Sequence, residues 1–537
     1  MKYKYTFLLL ILISSTYTIF AQNSKDILCR IIDIESKYPV SFATVKFEKI
    51  QSGVVADEDG EFRLPLRYKT EEKAVIISSI GFATLRVEMS SLKPNTINII
   101  YLNPKVEALG TVVISGKVKS KTEASTAESI VREAISKISI NYPSAPHSYM
   151  AYYRDYQLVN NKYYNLNEAI LENFDAGFQT SKFGYSENVT ALYSHNLNKS
   201  FYLDSVLLKS IYGDSKIVNK DESAQFKMAL ENELEMLNSH NPIRNYNRRS
   251  FSFVDIFKDN FIDNHLLKLK EIKYIDGTPL HEITFVSKDT ENAKFKSEGA
   301  IYIAKTNYAI HKFEYRMLQN EKFRHSNSLG AGDERRIRVT ERLNTIYEIV
   351  LEYKAINKKM YLNYMTFNNR FIIKEPNPFK VSEFDFDPED KKFYITFNKS
   401  VDEASIQRNS RFRLMYRGKK LIIKGIKLIK PNVVSLEVID WAAGTKADVK
   451  KVKSEDFSYK LKRIKDISGA TINKESKLLG FQFREFFTQE IFENRKPPSD
   501  LIFVNKRRPL SLTRVNDVNL DIDRYWVNSP LKQTKSN

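Results

Sequence analysis

Apolar and polar positions alternate along much of the chain. Phe62, Leu64 and Leu66 alternate with Glu61, Arg63 and Arg67, the period of a half-buried strand. The run AVIIS at Ala74–Ser78 is continuously apolar and fits a central strand. From Tyr149 onward strand patterns dominate again. IKYIDGTPLHEITFVS turns at Asp276-Gly277, and GAIYIAKTNYAIHKFEYRM turns near Lys305-Thr306-Asn307. Helical spacing is confined to two stretches. Ala127, Ile130, Val131, Ala134, Ile135 and Ile138 share one face, with Ser125 and Glu128 as a capping box and Asn141-Tyr142-Pro143 as the stop. Phe226, Ala229, Leu230, Leu234 and Leu237 share a face between Ser223 and Leu237. The pattern predicts a mainly β protein with a few helices.

The N-terminus changes the setting. Lys2 and Lys4 precede a short apolar core, Phe7 to Ile13, and Ala21-Gln22 offers a cleavage point. Residues 1–21 read as a secretory signal peptide, too short and poorly flanked for a stable membrane span, so the mature chain is expected to be exported. Cys29 is the sole cysteine, which rules out an internal disulfide and fits a buried strand position. A length of 537 residues leaves room for roughly three or four domains. With 34 Phe and 30 Tyr against 17 Gly, composition favours packed sheet over disorder. The formal charge is +19, and loss of Lys2 and Lys4 leaves +17. In an exported chain that excess points to an anionic membrane surface or an acidic protein partner rather than nucleic acid.

The stretch SGVVADEDGEFRLP sets Asp57 and Asp59 beside Gly60. An EF-hand loop requires further oxygen ligands and a closing Glu, which do not follow at that spacing. Asp and Gly are what a tight hairpin turn demands, and such turns stand out in solvent. These residues also carry a resemblance. IIDIESKYPVSFATVKF, then GVVADEDGEFRL, then ISSIGFATLRV resembles the carboxypeptidase-like regulatory domain common in exported Bacteroidota proteins. The resemblance implies a seven-stranded, non-catalytic β-sandwich of transthyretin type. That module also opens TonB-dependent receptors, and the segment Glu107 to Ser115 is similar to their linker to the plug, although no plug or barrel pattern follows.

Further along, the G-x-I-Y-I…T-x-Y-A-I rhythm resembles the LolA-like half-barrel of lipoprotein carriers. The resemblance implies an apolar cavity for acyl chains; the same strand rhythm serves any curved antiparallel sheet, and a filled core is the other reading. KKFYITFNKSVDEASI, RFRLMYRGKKLIIKGIKLI, VVSLEV and LKRIKDISGATIN resemble a bacterial Ig-like domain of the surface-layer type, a β-sandwich of about ninety residues. MTFNNRFII before it and LLGFQFREFFTQEI after it are strand-like and suited to pair. The expected division is a signal peptide (1–21), a regulatory β-sandwich (22–115), a helical linker (116–145), a central curved antiparallel sheet with packed helices (146–378 plus 478–492), an inserted C-terminal Ig-like sandwich (379–477), and an extended tail (493–537). The whole order resembles a broad set of Bacteroidota envelope proteins.

Charge concentrates in the Ig-like segment. Between Arg411 and Lys465 stand 16 Lys and Arg against 5 Asp and Glu, a net of +11. Arg417, Lys419, Lys420, Lys424, Lys427 and Lys430 form the candidate partner or membrane surface, the other reading being a solvated basic face. Gly425 allows a bulge that brings Lys424, Lys427 and Lys430 to one side.

Candidate chemistry is sparse. His311-x-x-Glu314 has a zinc-ligand spacing, but on a strand the two side chains face opposite ways, and His325 is the only later histidine. Gly330 and Gly332 lack the Lys and Ser/Thr of a phosphate loop. Glu168 and Glu172 share a strand face without an identifiable acid–base partner. No catalytic residue, metal or cofactor is expected. The expectation is a non-enzymatic adaptor or biogenesis accessory in the periplasm, associated with an outer-membrane protein complex or an anionic membrane surface. A carrier of an acyl or other apolar ligand is the alternative, and a hydrolase the third reading.

Overall fold

The computed structural model describes residues 26–50, 52–107, 119–181, 187–208, 216–217, 232–288, 294–326, 337–373, 378–387, 390, 392–439, 452–474, 478–517 and 524–531. The segment expected to be a signal peptide (1–21), Gly330 and Gly332 lie outside them. Among the described residues the strands form five sheets and the chain is mainly β.

The N-terminal β-sandwich packs two sheets face to face. Its strands are β1 (Asp26–Asp33), β2 (Thr44–Phe47), β3 (Gly53–Val55), β4 (Glu61–Pro65), β5 (Ala74–Ser78), β6 (Leu85–Glu88) and β7 (Ile97–Leu102). A one-turn helix, α1 (Tyr68–Glu71), follows β4. One sheet runs β4-β1-β7 and the other β3-β2-β5-β6. Cys29, Ile31, Val45, Phe47, Phe62, Leu64, Val75 and Ile77 are buried in the core between them. Glu61, expected on a solvent face, is buried and paired with Arg30 on the neighbouring strand.

The chain then passes through β8 (Val106–Glu107) into helices α2 (Lys119–Ser136) and α3 (Ile138–Asn141). α2 begins six residues before Ser125, so Ser125 lies inside the helix rather than at its start. The face carrying Ala127, Ile130, Val131, Ala134 and Ile135 is buried. β9 (His147–Val159), β10 (Lys162–Asp175), β11 (Val189–Leu197) and β12 (Lys216–Ile217) follow. Of the helix expected from Ser223 to Leu237, residues 218–231 lie outside the described set. The described part, α4 (Glu233–Ser239), starts at Asn232, whose side chain accepts from the backbone N–H of Leu234 and Glu235 and so sets the N-terminus there. α5 (Phe257–Asn264) leads into the hairpin series β13 (His265–Ile275), β14 (Thr278–Ser287), β15 (Phe295–Ala304), β16 (Ile310–Ser326), β17 (Ile337–Ile356) and β18 (Lys359–Ile373).

After β18 the chain leaves the sheet for a second sandwich. Its strands are β19 (Val381–Asp387), β20 (Lys392–Phe397), β21 (Phe412–Tyr416), β22 (Lys419–Lys420), β23 (Ile422–Lys430), β24 (Val433–Ile439) and β25 (Phe457–Leu461), ordered β19-β20-β24-β23 over β22-β21-β25. The chain then returns as β26 (Leu478–Glu493). The central sheet runs β11-β10-β9-β26-β18-β17-β16-β15-β14-β13-β8, with β12 on β18. β26 fills the slot between β9 and β18, antiparallel to both, with Phe487 beside Tyr364 and Tyr152. One face of this sheet packs on α2, α4 and α5 through Tyr153, Tyr315, Tyr347, Phe313, Phe367 and their neighbours. The other face meets the N-terminal sandwich.

The C-terminal tail is extended but not loose. Val504 and Asn516 hydrogen-bond the backbone of β11, and the strap at residues 524–531 bonds to both the first sandwich and the sheet through Asn528. There Trp526 enters the core of the first sandwich, 5.5 Å from the Phe47 ring, while Tyr525 packs in the cluster at the sheet surface.

Candidate functional surface and the buried ionic seam

The turn at Asp57 is built as its residues require. Oδ1 of Asp57 accepts from the backbone N–H of Asp59 (3.1 Å) and Glu61 (2.8 Å). Gly60 has φ +70°, and a Cβ there would lie 2.6 Å from the Ile31 carbonyl oxygen, so the position demands glycine. The turn is not at the solvent edge, however. Asp57 is 3% exposed, because its side of the hairpin is pressed onto β9 and β26 of the central sheet, while Glu58 at the tip stays exposed. Burial pushes the Asp57 carboxyl up to about 7, although Arg154 stands 3.9 Å away.

Arg154 is the centre of this seam. It is almost wholly buried and pairs with Glu485. Cross-strand register places Glu168, Arg154 and Glu485 side by side on β10, β9 and β26. Nη1 of Arg154 donates to the Asn528 carbonyl in the C-terminal strap (3.0 Å). Asn528 in turn accepts from the Arg63 backbone N–H (2.8 Å) and donates to the Val55 carbonyl (3.2 Å). One arginine thus ties the sheet, the hairpin turn of the first sandwich and the tail together.

Glu168 and Glu172 do share a face, but that face is buried rather than solvated. Glu168 accepts from Tyr152 (2.6 Å), Ser529 (2.6 Å) and Asn198 (2.7 Å). Glu172 accepts from Ser148 (2.5 Å), Tyr193 (3.0 Å) and Arg495 (2.8 Å). Buried carboxylates supplied with three or more donors serve as structural anchors. His311 is buried, which lowers its pKa to about 4 and keeps it neutral. Glu314 turns to Lys312, 2.6 Å away, so the zinc spacing comes apart on the two faces of β16. The His325 side chain lies outside the described set. Among the described residues, no group of three His, Cys, Asp or Glu side chains is placed to hold a metal ion.

All six candidate cations are exposed. Arg417 (φ +46°) and Gly418 (φ +83°) form the tight turn joining β21 to β22, and Arg417 lies 3.3 Å from Asp456. Lys419 and Lys420 occupy β22, the edge of the three-stranded sheet. Leu421 is buried, and the chain crosses to β23, the edge of the opposite sheet. There the register shifts between Ile423 and Gly425 and again between Leu428 and Lys430. The first shift resets the alternation, so Ile423, Ile426 and Leu428 turn to the core while Lys424 and Lys427 stay outside. Lys424 pairs with Glu437 (2.8 Å). Among the described residues no acidic side chain pairs with Lys419, Lys420, Lys427 or Lys430. Ile422 is 62% exposed beside its exposed cross-strand neighbour Ile439, which gives the basic edge an apolar margin.

Residues 29–114 match the family model of the CarboxypepD_reg-like domain. That span runs from within β1 to beyond β8 and so takes in nearly all of the first sandwich. The matched domain is of a regulatory rather than catalytic kind. The chain matches no curated protein and no solved structure. Among the described residues no helix is long and apolar enough to cross a membrane.

Sequence reasoning missed Arg154 and Trp526. In YMAYYRDYQLV both faces of β9 are buried, so no alternation distinguishes Arg154 from a solvent-facing residue. The one available signal was the presence of an arginine inside an otherwise aromatic strand.

Proposed function

We propose that the protein is an exported, non-enzymatic adaptor of the periplasmic face of the outer membrane, and that the basic edge of its second sandwich is the surface that meets an anionic partner. The observation that carries this reading is the set of six exposed cations from the β21–β22 turn through β22 and β23, four of them without an acidic partner among the described residues. Each such charge near an anionic surface contributes about 1 kcal/mol and is screened by salt. The helices packed across one face of the central sheet, with large aromatic side chains between them, favour an adaptor over an acyl carrier. The regulatory character of the matched N-terminal domain is in keeping with a protein that works through contacts.

The test is co-sedimentation of the mature chain with vesicles of anionic or neutral phospholipid, and with detergent-solubilised envelope, across a salt series. Binding that falls steeply with ionic strength and is lost in Lys419→Glu/Lys427→Glu supports the reading. Binding indifferent to salt and to those substitutions sinks it.

A further inference from the structure

The basic edge carries more than charge, and its apolar positions narrow the class of partner. On β23 the exposed residues are Ile422, Lys424, Lys427, Ile429 and Lys430, while Ile423, Ile426 and Leu428 turn to the core. Ile422 is 62% exposed and Ile429 is 44% exposed. Ile439, opposite Ile422 on β24, is also 44% exposed. Lys419 and Lys420 precede this group on β22, and Lys424 follows Ile422. Isoleucines thus stand at both ends of β23, with cations between and around them.

Lysines, bulges and short strands at a sheet edge have an ordinary explanation: they keep one chain from pairing its edge with another. β22 has two residues, and two register shifts interrupt β23, so neither edge offers an even ladder for an added strand. That explanation covers the cations and leaves the isoleucines out. An edge guarded only against association has no use for three exposed branched aliphatic side chains.

The sheet is also polarised. Its far edge, β19, exposes Glu383 and Asp385, whereas β23 exposes Lys424, Lys427 and Lys430. An anionic surface therefore draws the β23 edge toward itself and repels the opposite one. Five of the six cations are lysines, compact and strongly hydrated charges on flexible stems. Fixed pairing with protein carboxylates favours the planar fork of arginine, and lysine is depleted at the centre of protein–protein contacts. A headgroup layer makes the opposite demands. It offers diffuse negative charge to lysine heads and, just beneath, hydrocarbon for apolar side chains, with the lysine stems lying along the boundary. We propose that the partner of the basic edge is a bilayer containing anionic phospholipid, and that Ile422, Ile429 and Ile439 enter it while the lysines hold the headgroups. This rests on the reading of that edge as the contact surface, and it adds the class of partner and the mode of contact.

The experiment uses the mature full-length chain with vesicles of phosphatidylglycerol in phosphatidylcholine, and of phosphatidylcholine alone. Cys29 is buried and is the sole cysteine, so Ile422→Cys can be labelled at one place with an environment-sensitive nitrobenzoxadiazole dye. On anionic vesicles the emission should shift to the blue and be quenched by a nitroxide carried in the bilayer; on neutral vesicles it should do neither. Ile422→Ser/Ile439→Ser keeps all six cations, should melt with the parent, and should bind anionic vesicles about tenfold more weakly. The labelled chain decides alone if that double variant melts early. A dye that stays in water, or a folded double variant that binds as the parent does, overturns insertion, while salt-sensitive binding through the lysines still stands. Binding to detergent-solubilised envelope without binding to vesicles overturns the bilayer as partner and leaves an acidic protein in its place. Loss of both vesicle and envelope binding is a different result, the failure of the anionic-partner reading itself, and takes this inference with it.

Discussion

The two sandwiches share a seven-strand, two-sheet plan among the described residues, yet they are attached in opposite ways. The first is fastened from outside its own core. Trp526 from the far end of the chain sits among Phe47 and Tyr68, and Arg154 of the central sheet reaches the Asp57 turn. The second has a self-contained core, and the cations of its basic edge point into solvent. The contrast shows where charge does structural work and where it stays available. In the seam, each ion is enclosed by donors and acceptors that only one arrangement supplies. On the basic edge, no geometry is imposed on the lysine heads, and that freedom suits a diffuse anionic partner.

The seam should therefore be the most fragile part of the molecule. Arg154→Ala leaves Asp57 and Glu485 buried without their cation, and the loss should reach about 3–5 kcal/mol. Urea unfolding followed by tryptophan fluorescence measures it. A loss under about 1 kcal/mol would mean that the seam is not what joins sandwich to sheet. Next in size is Trp526→Ala, which empties a site in the first core and should cost about 3 kcal/mol. Limited proteolysis adds a sharper reading, since cleavage should appear first in the released tail and the first sandwich, with the second sandwich spared. Equal susceptibility of the two sandwiches would break the comparison.

The seam also has a pH signature. The folded chain holds the Asp57 carboxyl at about 7 against an ordinary value of 3.8, chiefly through burial. Between those values the folded state keeps a proton that the unfolded state has released. This contribution to stability is complete below pH 4 and is lost as pH rises through 7. Asp57→Asn removes the titrating group while keeping the acceptor oxygen for Asp59 and Glu61. The difference in unfolding free energy between parent and variant should thus change with pH across that window, with a slope of at most about 1.4 kcal/mol for each step of one in pH. A difference that is flat from pH 4 to pH 7 would show that Asp57 does not titrate there.

How much of this was visible in the chain itself depends on what each signal encodes. Turn chemistry at Asp57 and Gly60 was legible because it is local. The strand-rich class was legible from alternation, and the first sandwich from several short motifs in order. Burial of Asp57, Glu168 and Glu172 was not legible, because a charged residue in an alternating strand looks the same whether its face meets water or another domain. The start of α2 was misplaced for a related reason: Ser125 and Glu128 have the spacing of a capping box, yet the backbone is already helical from Lys119. The docking of Trp526 was hidden by sequence separation alone, since nothing near residue 526 refers to residues 47 and 68.

The smallest structural effect belongs to the basic edge, and it is the most telling for function. Lys424→Glu/Lys427→Glu changes two side chains that lie outside the core, on a strand whose buried positions are Ile423 and, in part, Ile426 and Leu428. Lys424 gives up one exposed pair with Glu437, and such pairs contribute little. The melting temperature should stay within a degree or two of the parent, corresponding to roughly 0.5 kcal/mol. The same double substitution alters the local charge by four and should abolish salt-sensitive association with anionic vesicles or envelope. Stability and binding thus separate on the second sandwich and stay inseparable on the seam. A variant that melts far below the parent would show that these lysines hold the fold, and the division between the two sandwiches would fail.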